Sequence, residues 1–181
     1  MHLIITRSFP PEIGGMQNLI WGLAKELSKN YMLKVFADYQ ENHRVFDEQV
    51  SFSIERVGGI KLLRKYRKAQ LVNEFIKENK IEGIIADHWK SLELIKTNKK
   101  KICLIHSKEI NHEKRTKLNK RVLNVLNNVE LVVANSKFTK NLAIQCGVDE
   151  SKIIVINPGV DPVEELNKKS LEKVESLLKN K

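Results

Sequence analysis

The chain has 181 residues, of which 41% are apolar and 30% are charged. This length and composition predict one globular domain with its own hydrophobic core and exclude an intrinsically disordered chain. The two cysteines form no CxxC pair and no Cys/His cluster, so neither a disulfide framework nor a zinc or other metal site is expected, and the protein is predicted to be cytoplasmic. No apolar run approaches the roughly 18 residues that a membrane span requires.

The net charge of +10 is concentrated in the middle third of the chain. Residues 61–125 carry 18 basic and 7 acidic side chains, whereas the segments on either side are close to neutral. A concentrated positive charge favours an anionic partner, which could be nucleic acid, anionic lipid or a phosphorylated substrate. A Lys-rich solvated face explains the same charge without a partner, and both interpretations stay open at this point.

Seven short apolar runs alternate along the chain with longer helical patterns. Several runs are continuous rather than alternating, which is typical of strands that are covered on both faces in a parallel sheet. They predict strands over 2–6, 32–38, 51–57, 83–87, 101–106, 131–135 and 153–156. Helical spacing of apolar residues is found over 19–27, 62–76 and 118–129. This alternation predicts a doubly wound α/β fold, with a Rossmann-like parallel sheet and helices on both faces.

Ligands of doubly wound sheets bind beyond the carboxyl ends of the strands, so the residues after each strand are candidates for the site. After the first strand, Arg7 precedes Gly14 and Gly15, which open a helix. The segment contains neither a GxGxxG fingerprint nor a P-loop, but two glycines at a helix N-terminus allow an anion to approach the backbone. A tight turn without a ligand explains the glycines equally well.

Three further strand ends carry polar side chains that suit a binding site. His88 follows the fourth strand and His106 ends the fifth. Imidazole can transfer a proton or donate a hydrogen bond near neutral pH, although a lone His at a strand end is more often structural. Asn135 and Ser136 follow the sixth strand and open a helix, for which Ser136 is a good N-cap by residue type.

These motifs resemble the N-terminal domain of the retaining family-four glycosyltransferases, which have the GT-B fold. The resemblance covers nearly the whole chain, and its most specific parts are the segments 10–15 and 134–161. It implies a two-domain, metal-independent enzyme that moves a sugar from a nucleotide sugar, as co-substrate, to a glycan or lipid-linked acceptor. In such an enzyme the N-terminal domain mainly binds the acceptor, and the second domain binds the donor.

The resemblance also implies roles for individual residues. Gly14 and Gly15 match the glycine loop near the donor phosphates, and His106 matches a His that contacts the transferred sugar or the acceptor. His106 is therefore the expected catalytic residue. The expected substrate contacts are Arg7, Gly14, Gly15, His88, Asn135 and Ser136.

The donor-binding carboxylates of the family, two glutamates in a Gly-rich context, have no counterpart here. The sequence thus predicts an acceptor-side domain over 1–162 and a linker helix over 163–181 that leads toward a missing donor-binding domain. The chain is expected to fold but to be inactive alone, unless a partner chain supplies that domain. The alternative is a non-catalytic module that binds a glycan or a phospholipid. Nucleic acid is not expected, because aromatic residues are only 6% and no binding motif is found.

The basic middle third is expected to meet an anionic membrane surface or a phosphorylated lipid acceptor, at the inner face of the cell membrane. Two clusters contain the charge, one in the first turns of the pattern over 62–76 and one in the helical pattern after His106. The expected contacts are Arg64, Lys65, Arg67, Lys68, Lys114 and Arg115. Leu62, Leu63 and Tyr66 are expected to face the core.

Overall fold

The computed structural model describes residues 1–159 and the single positions 172, 175 and 176. Its strands are β1 (His2–Ile5), β2 (Leu33–Asp38), β3 (Ser53–Val57), β4 (Gly83–Ala86), β5 (Lys100–Ile105), β6 (Leu131–Ala134) and β7 (Ile153–Val155). They form one parallel sheet in the order β3-β2-β1-β4-β5-β6-β7. The predicted fold class is confirmed, and each predicted strand is present with ends that differ by no more than two residues. The domain boundary at 162 and the linker helix over 163–181 lie outside the continuously described range and stay predictions.

Within residues 1–159 the α-helices are α1 (Gly15–Ser28), α2 (His43–Asp47), α3 (Lys61–Glu78), α4 (Trp89–Leu92), α5 (Lys117–Leu126) and α6 (Lys137–Cys146). The sequence predicts the four longer ones. The short helices α2 and α4 were not predicted, because four or five residues are too few to show a helical period. Among the described residues, no helix is long and apolar enough to cross a lipid bilayer.

The helices lie on two faces of the sheet because the connections run in two directions. The chain steps outward from β1 to β3 through α1 and α2, and then steps the opposite way from β3 to β7 through α3 to α6. Right-handed crossovers place these two sets on opposite faces. Accordingly, Ile4 and Val35 belong to the core beneath α1, whereas their neighbours Leu3 and Phe36 belong to the larger core beneath α3 to α6.

The first turns of α3 contradict the expectation that their apolar residues face the core. Leu62, Leu63 and Tyr66 are 83%, 59% and 58% exposed, whereas Ala69 and Val72 are buried. The reason is length: the 18 residues of α3 span about 27 Å, but β2 and β3 have six and five residues and span only about 17–20 Å. The first two turns of α3 therefore extend past the sheet at its carboxyl edge.

The strand order reverses between β1 and β4, which are paired directly with Ile5 opposite Ala86. One half of the sheet grows outward from β1 and the other half from β4, so the loops that follow these two strands diverge. Such a switch point leaves a crevice beyond the carboxyl ends of the two strands, which is where doubly wound sheets bind ligands.

Candidate functional site

The carboxyl edge of the sheet brings the sequence-predicted site residues together. Arg7 lies two residues beyond β1, His88 two residues beyond β4, and His106 and Asn135 directly follow β5 and β6. Arg7 and His106 are close enough to His88 for their charges to lower its pKa. These three side chains are therefore neighbours at the carboxyl edge of the sheet.

Gly15 borders open space at the start of α1. A Cβ added to Gly15 would meet no atom within 4 Å, whereas a Cβ on Gly14 would lie 2.4 Å from Oε1 of Gln17. Within the described range no side chain caps α1, so the first N–H groups of this helix are left without a capping oxygen. This combination of clearance and unpaired donors suits an anionic ligand.

His88 is held as a neutral imidazole. Its Nδ1 accepts a hydrogen bond of 3.0 Å from the backbone N–H of Lys90, and this bond caps α4. Burial lowers the pKa of His88 to about 3, and the positive charges of Arg7 and Lys90 act in the same direction. With Nδ1 occupied as an acceptor, the proton lies on Nε2, which can donate a hydrogen bond. His88 thus caps α4 through Nδ1, while its Nε2–H has no hydrogen-bond partner among the described residues and can donate to a ligand.

His106 combines a fixed backbone with an unsatisfied ring. Its backbone N–H donates to the carboxylate of Glu109, and the next residue, Ser107, has a φ of +86°, which side-chain-bearing residues rarely adopt. Nε2 of His106 is buried and has no hydrogen-bond partner among the described residues. Burial lowers the pKa of His106, while the charge of Glu109 acts against it. A ligand can reach this nitrogen only after a local rearrangement.

Asn135 and Ser136 hold the start of α6. Ser136 Oγ accepts a 3.1 Å hydrogen bond from the backbone N–H of Thr139, and Thr139 Oγ1 donates to Asn135 Oδ1 at 2.6 Å. The predicted N-cap is therefore confirmed. The NH₂ group of Asn135 has no partner within residues 1–159 and is the part of this segment that a ligand could use.

A buried polar network beneath the switch point was not identified from the sequence. Asp87 is 2% exposed, and its Oδ2 accepts a 2.6 Å hydrogen bond from Thr6 Oγ1. Lys68 of α3 is also buried and donates to the carbonyl oxygen of Thr6 and, at 2.6 Å, to Oδ1 of Asp38. In the sequence, Thr6, Asp38 and Asp87 each stand as a polar residue at the end of a different apolar strand. Only the sheet order shows that these three strands are neighbours.

Burial determines the protonation of this network. It raises the pKa of Asp87 to about 6, although the hydrogen bond from Thr6 and the charge of Lys68 oppose the change. It lowers the pKa of Lys68, and there Asp38 opposes the change. The second oxygen of Asp87, Oδ1, is buried without a hydrogen-bond partner among the described residues. A carboxyl group beneath the switch point therefore titrates close to neutral pH.

The predicted basic cluster on α3 needs correction. Lys68 cannot serve as a membrane contact, because it lies one turn before Val72 on the inward face of the helix and is buried against Asp38. Lys65 is paired with Glu93 at 2.9 Å, and Arg64 donates to the carbonyl oxygen of Gly59 at 3.1 Å and lies 3.5 Å from Asp38. Of the predicted contacts on this helix, Arg67 remains exposed without an ion pair in the described part of the chain.

The second basic cluster is exposed, but it lies only partly on a helix. Lys114 and Arg115 precede α5, because Thr116 caps that helix by accepting a 3.1 Å hydrogen bond from Asn119 N–H. Arg115 has a φ of +68°, which is incompatible with the helix. Further along α5, Arg121 is bound to Glu93 through two hydrogen bonds, the longer of 2.9 Å.

Comparisons with known proteins agree with this architecture. A family model described as Glycosyltransferase Family 4 matches residues 13–164. Among solved structures, Anabaena Alr3699/HepE in complex with UDP-glucose is 18% identical with a TM-score of 0.75, over 99% of this chain and 50% of that one. A glycosyltransferase from Rickettsia africae is 18% identical with a TM-score of 0.68, over 98% and 49% of the two chains.

Sucrose-phosphate synthase from Thermosynechococcus elongatus is 13% identical with a TM-score of 0.68, over 88% of this chain and 48% of that one. Likeness at these identities shows the fold, and the chain spans about half the length of the solved structures that it matches. A comparison with curated proteins finds no match.

Proposed function

Since the chain belongs to glycosyltransferase family 4, we propose that it is the acceptor-side half of a retaining glycosyltransferase whose donor is a nucleotide sugar. The observation that supports this proposal is the proximity of Arg7, His88 and His106 at the carboxyl edge of the sheet, the edge at which the uncapped helix α1 also begins. Anabaena Alr3699/HepE, whose structure this chain matches, was solved in complex with UDP-glucose, which supports the choice of donor. Retention of configuration is carried over from the family.

The chemistry follows from the charges at this edge. Arg7 is exposed and has no ion pair among the described residues, so its guanidinium and the N–H groups of α1 can stabilise the negative charge of a leaving nucleotide. The neutral rings of His88 and His106 are suited to hydrogen bonds with sugar hydroxyls rather than to charge neutralisation. Catalysis then consists of positioning and electrostatic stabilisation, with the sugar held across a cleft.

The donor is expected to be held by a second domain. The structures that this chain matches are about twice as long as the part it covers. One half of a cleft can bind a substrate but cannot orient a donor against an acceptor, and orientation supplies a large part of the rate enhancement in such reactions. We therefore expect the 181-residue chain to bind the acceptor and to need a donor-binding partner for turnover.

Measurement of nucleotide-sugar turnover tests this proposal. The chain is assayed alone and together with a polypeptide that contains a family-four donor domain, and transfer is expected in the mixture only. Robust turnover by the chain alone would contradict the division into two halves. Glycan binding without turnover in any combination would favour the alternative, a non-catalytic binding module.

We further propose that the chain binds the anionic inner face of the cell membrane peripherally. The contact surface is the α3 tip, defined as the exposed residues at the start of this helix: Ile60, Lys61, Leu62, Leu63, Tyr66 and Arg67. It joins apolar side chains to cations, which is the pattern that lies in a membrane interface and responds to anionic lipid.

Co-sedimentation with lipid vesicles tests the membrane contact. We expect the chain to sediment with phosphatidylglycerol vesicles, to sediment less as salt is raised, and to stay in solution with neutral vesicles. Replacing Leu62 and Leu63 by Ser should abolish sedimentation. Met32, which is 71% exposed at the opposite edge of the sheet, gives the matched control Met32→Ser. Equal sedimentation with neutral and anionic vesicles would contradict the proposal.

A further inference from the structure

A cavity of about 400 Å³ opens at the carboxyl edge beside the switch point. It lies between the start of α3, the short helix α4 and α5, and it reaches the end of β1. Cations from four parts of the chain line it: Arg7 after β1, Lys61 and Lys65 of α3, Lys90 of α4 and Arg121 of α5. Because Arg7 lies both in this cavity and beside His88, the cavity is continuous with the candidate site.

The carboxylates near the cavity neutralise only some of these cations. Glu93 is bound by Lys65 and Arg121, and Asp38 is bound by Lys68 and Arg64. Within the described residues, no ion pair is formed by Arg7, Lys61 or Lys90. The repulsion is visible at Lys90, whose pKa is lowered by burial and then by the charges of Arg7 and Arg121. The cavity therefore holds a surplus of positive charge that an anion would relieve.

A buried hydroxyl in the cavity wall gives an independent indication of a ligand. Ser91 is 7% exposed and lines the cavity, and its Oγ has no hydrogen-bond partner among the described residues. Buried hydroxyl groups are nearly always paired in folded proteins, and leaving one unpaired costs about 1–3 kcal/mol. Like Nε2 of His106, this Oγ is closed to solvent, so an oxygen atom of an anionic ligand would accept a hydrogen bond from Ser91 after a local rearrangement of the cavity wall.

The same cavity has an apolar side. Leu62, Tyr66 and Leu94 line it together with the cations. Leu62 and Tyr66 are largely exposed and belong to the α3 tip, whereas Ser91 and Lys68 are buried. Ser91 and Lys68 therefore lie in the interior of the cavity, and Leu62 and Tyr66 lie at its mouth beside the exposed cation Lys61. This arrangement suits a ligand with a charged head and an apolar chain.

We propose that this cavity binds the phosphate or diphosphate group of the acceptor, with an attached apolar chain along Leu62 and Tyr66. Lys61 and Lys90 supply the charge, since Arg7 is assigned to the leaving nucleotide, and Ser91 donates to a phosphate oxygen once its hydroxyl is exposed. The inference rests on the proposed function, because it takes the ligand to be the acceptor. It specifies the substrate class: an amphiphile whose phosphate is bound beside the switch point.

Calorimetric titration of the 181-residue chain with three probes tests the proposal. Decyl phosphate, kept below its micellar concentration, is expected to bind; inorganic pyrophosphate is expected to bind at least fivefold more weakly; octyl glucoside, which has a chain but no charge, is expected not to bind. Equal binding of pyrophosphate and decyl phosphate would overturn the proposed contact of an apolar chain with Leu62 and Tyr66, and it would indicate a ligand that carries phosphate without such a chain. Binding of octyl glucoside as tight as that of decyl phosphate would overturn the proposed recognition of phosphate by the cations of the cavity.

Variants locate the bound phosphate. Lys90→Gln and Ser91→Ala should each weaken the binding of decyl phosphate at least fivefold. Lys61→Gln should do the same, and its matched control is Lys77→Gln, an exposed lysine on the same helix 16 residues later and about 24 Å away. Folding is checked by circular dichroism, and an equal loss in Lys61→Gln and Lys77→Gln would overturn the assignment to this cavity.

The outcomes separate this inference from the proposed function and from membrane binding. The completed enzyme is the chain together with a family-four donor domain. Phosphate binding without any sugar transfer by the completed enzyme would refute the proposed enzymatic function but not the phosphate site in the cavity. Sugar transfer to an uncharged acceptor, at a rate that Lys90→Gln does not change, would refute the cavity as the acceptor site but not the enzymatic function. Pyrophosphate binding should survive replacement of Leu62 and Leu63 by Ser, and its loss there would show that the cavity and the membrane contact are one surface.

Discussion

Replacing Asp87 by Asn should change the stability of the fold in a way that depends on pH. Burial raises the pKa of Asp87 from an ordinary value of about 3.9 to about 6 in the folded chain. The folded state therefore holds this proton more tightly than the unfolded state does. The resulting stabilisation is complete below about pH 4 and is lost as the pH rises through about 6.

The magnitude follows from the difference in pKa. A difference of about two, at about 1.4 kcal/mol for each unit, amounts to about 3 kcal/mol of free energy of unfolding over the whole titration. About 2 kcal/mol of this falls between pH 4 and pH 7, because Asp87 in the unfolded chain is already about half ionised at pH 4. Asn has no proton to lose and can accept the hydrogen bond from Thr6. Its NH₂ group in the place of Oδ1 would be unpaired at both pH values, so this cost cancels in the comparison.

Urea unfolding of both proteins at pH 4 and pH 7 measures the effect. We expect the stability of Asp87→Asn relative to the wild type to rise by about 2 kcal/mol between the two pH values. Glu41→Gln removes an exposed carboxylate and should give the same difference at both pH values. A constant difference for Asp87→Asn as well would refute the assignment of a buried, near-neutral carboxyl group beneath the switch point.

Three further predictions concern the candidate site. Gly15→Ala should leave the unfolding midpoint in urea unchanged, because its Cβ meets no atom, but should lower the kcat/KM of the completed enzyme at least tenfold; unchanged kcat/KM would show that no ligand approaches α1. His106→Ala should also lower kcat/KM more than tenfold, about 1.4 kcal/mol in the transition state, with a smaller effect for His88→Ala; full activity or unfolding of His106→Ala would indicate a structural role. His88→Asn keeps an acceptor for the N–H of Lys90 and should lower the pH midpoint of acid unfolding. The folded pKa of His88 is about 3, so below about pH 6.5 only the unfolded chain binds this proton, and wild-type stability is lost as the pH falls, whereas Asn has no such proton to bind. An unchanged midpoint would contradict the neutral imidazole.

The sequence predicts the sheet well because its strands are covered on both faces. Continuous apolar runs such as those that became β1, β5 and β6 are visible without knowledge of neighbours. The positions of Arg7, His88 and His106 then follow, since all parallel strands end at one edge. The helix α4 has only four residues and no periodic signal, so its contribution to the cavity could not be predicted from the sequence.

The prediction was weakest where a side chain's environment depends on the length of an element relative to its neighbours. Lys68 and Leu62 occur in the same helical pattern, and residue type alone places the lysine outside and the leucine inside. In the fold, Lys68 lies over the sheet and finds Asp38, while Leu62 lies beyond the last residues of the strands. The pairing of Thr6 with Asp87 likewise spans 81 positions and requires the sheet order.

The extension of α3 beyond the sheet divides this helix into parts under different constraints. From Ala69 onward, its inward residues pack in the core, and substitutions there change the folding equilibrium of the whole domain. In the first two turns, residues such as Leu62 and Tyr66 make up a surface that the core does not need. Those turns can therefore vary in composition at little cost to folding, so that the surface beyond the carboxyl edge can change by mutation of two helical turns while the sheet stays unchanged.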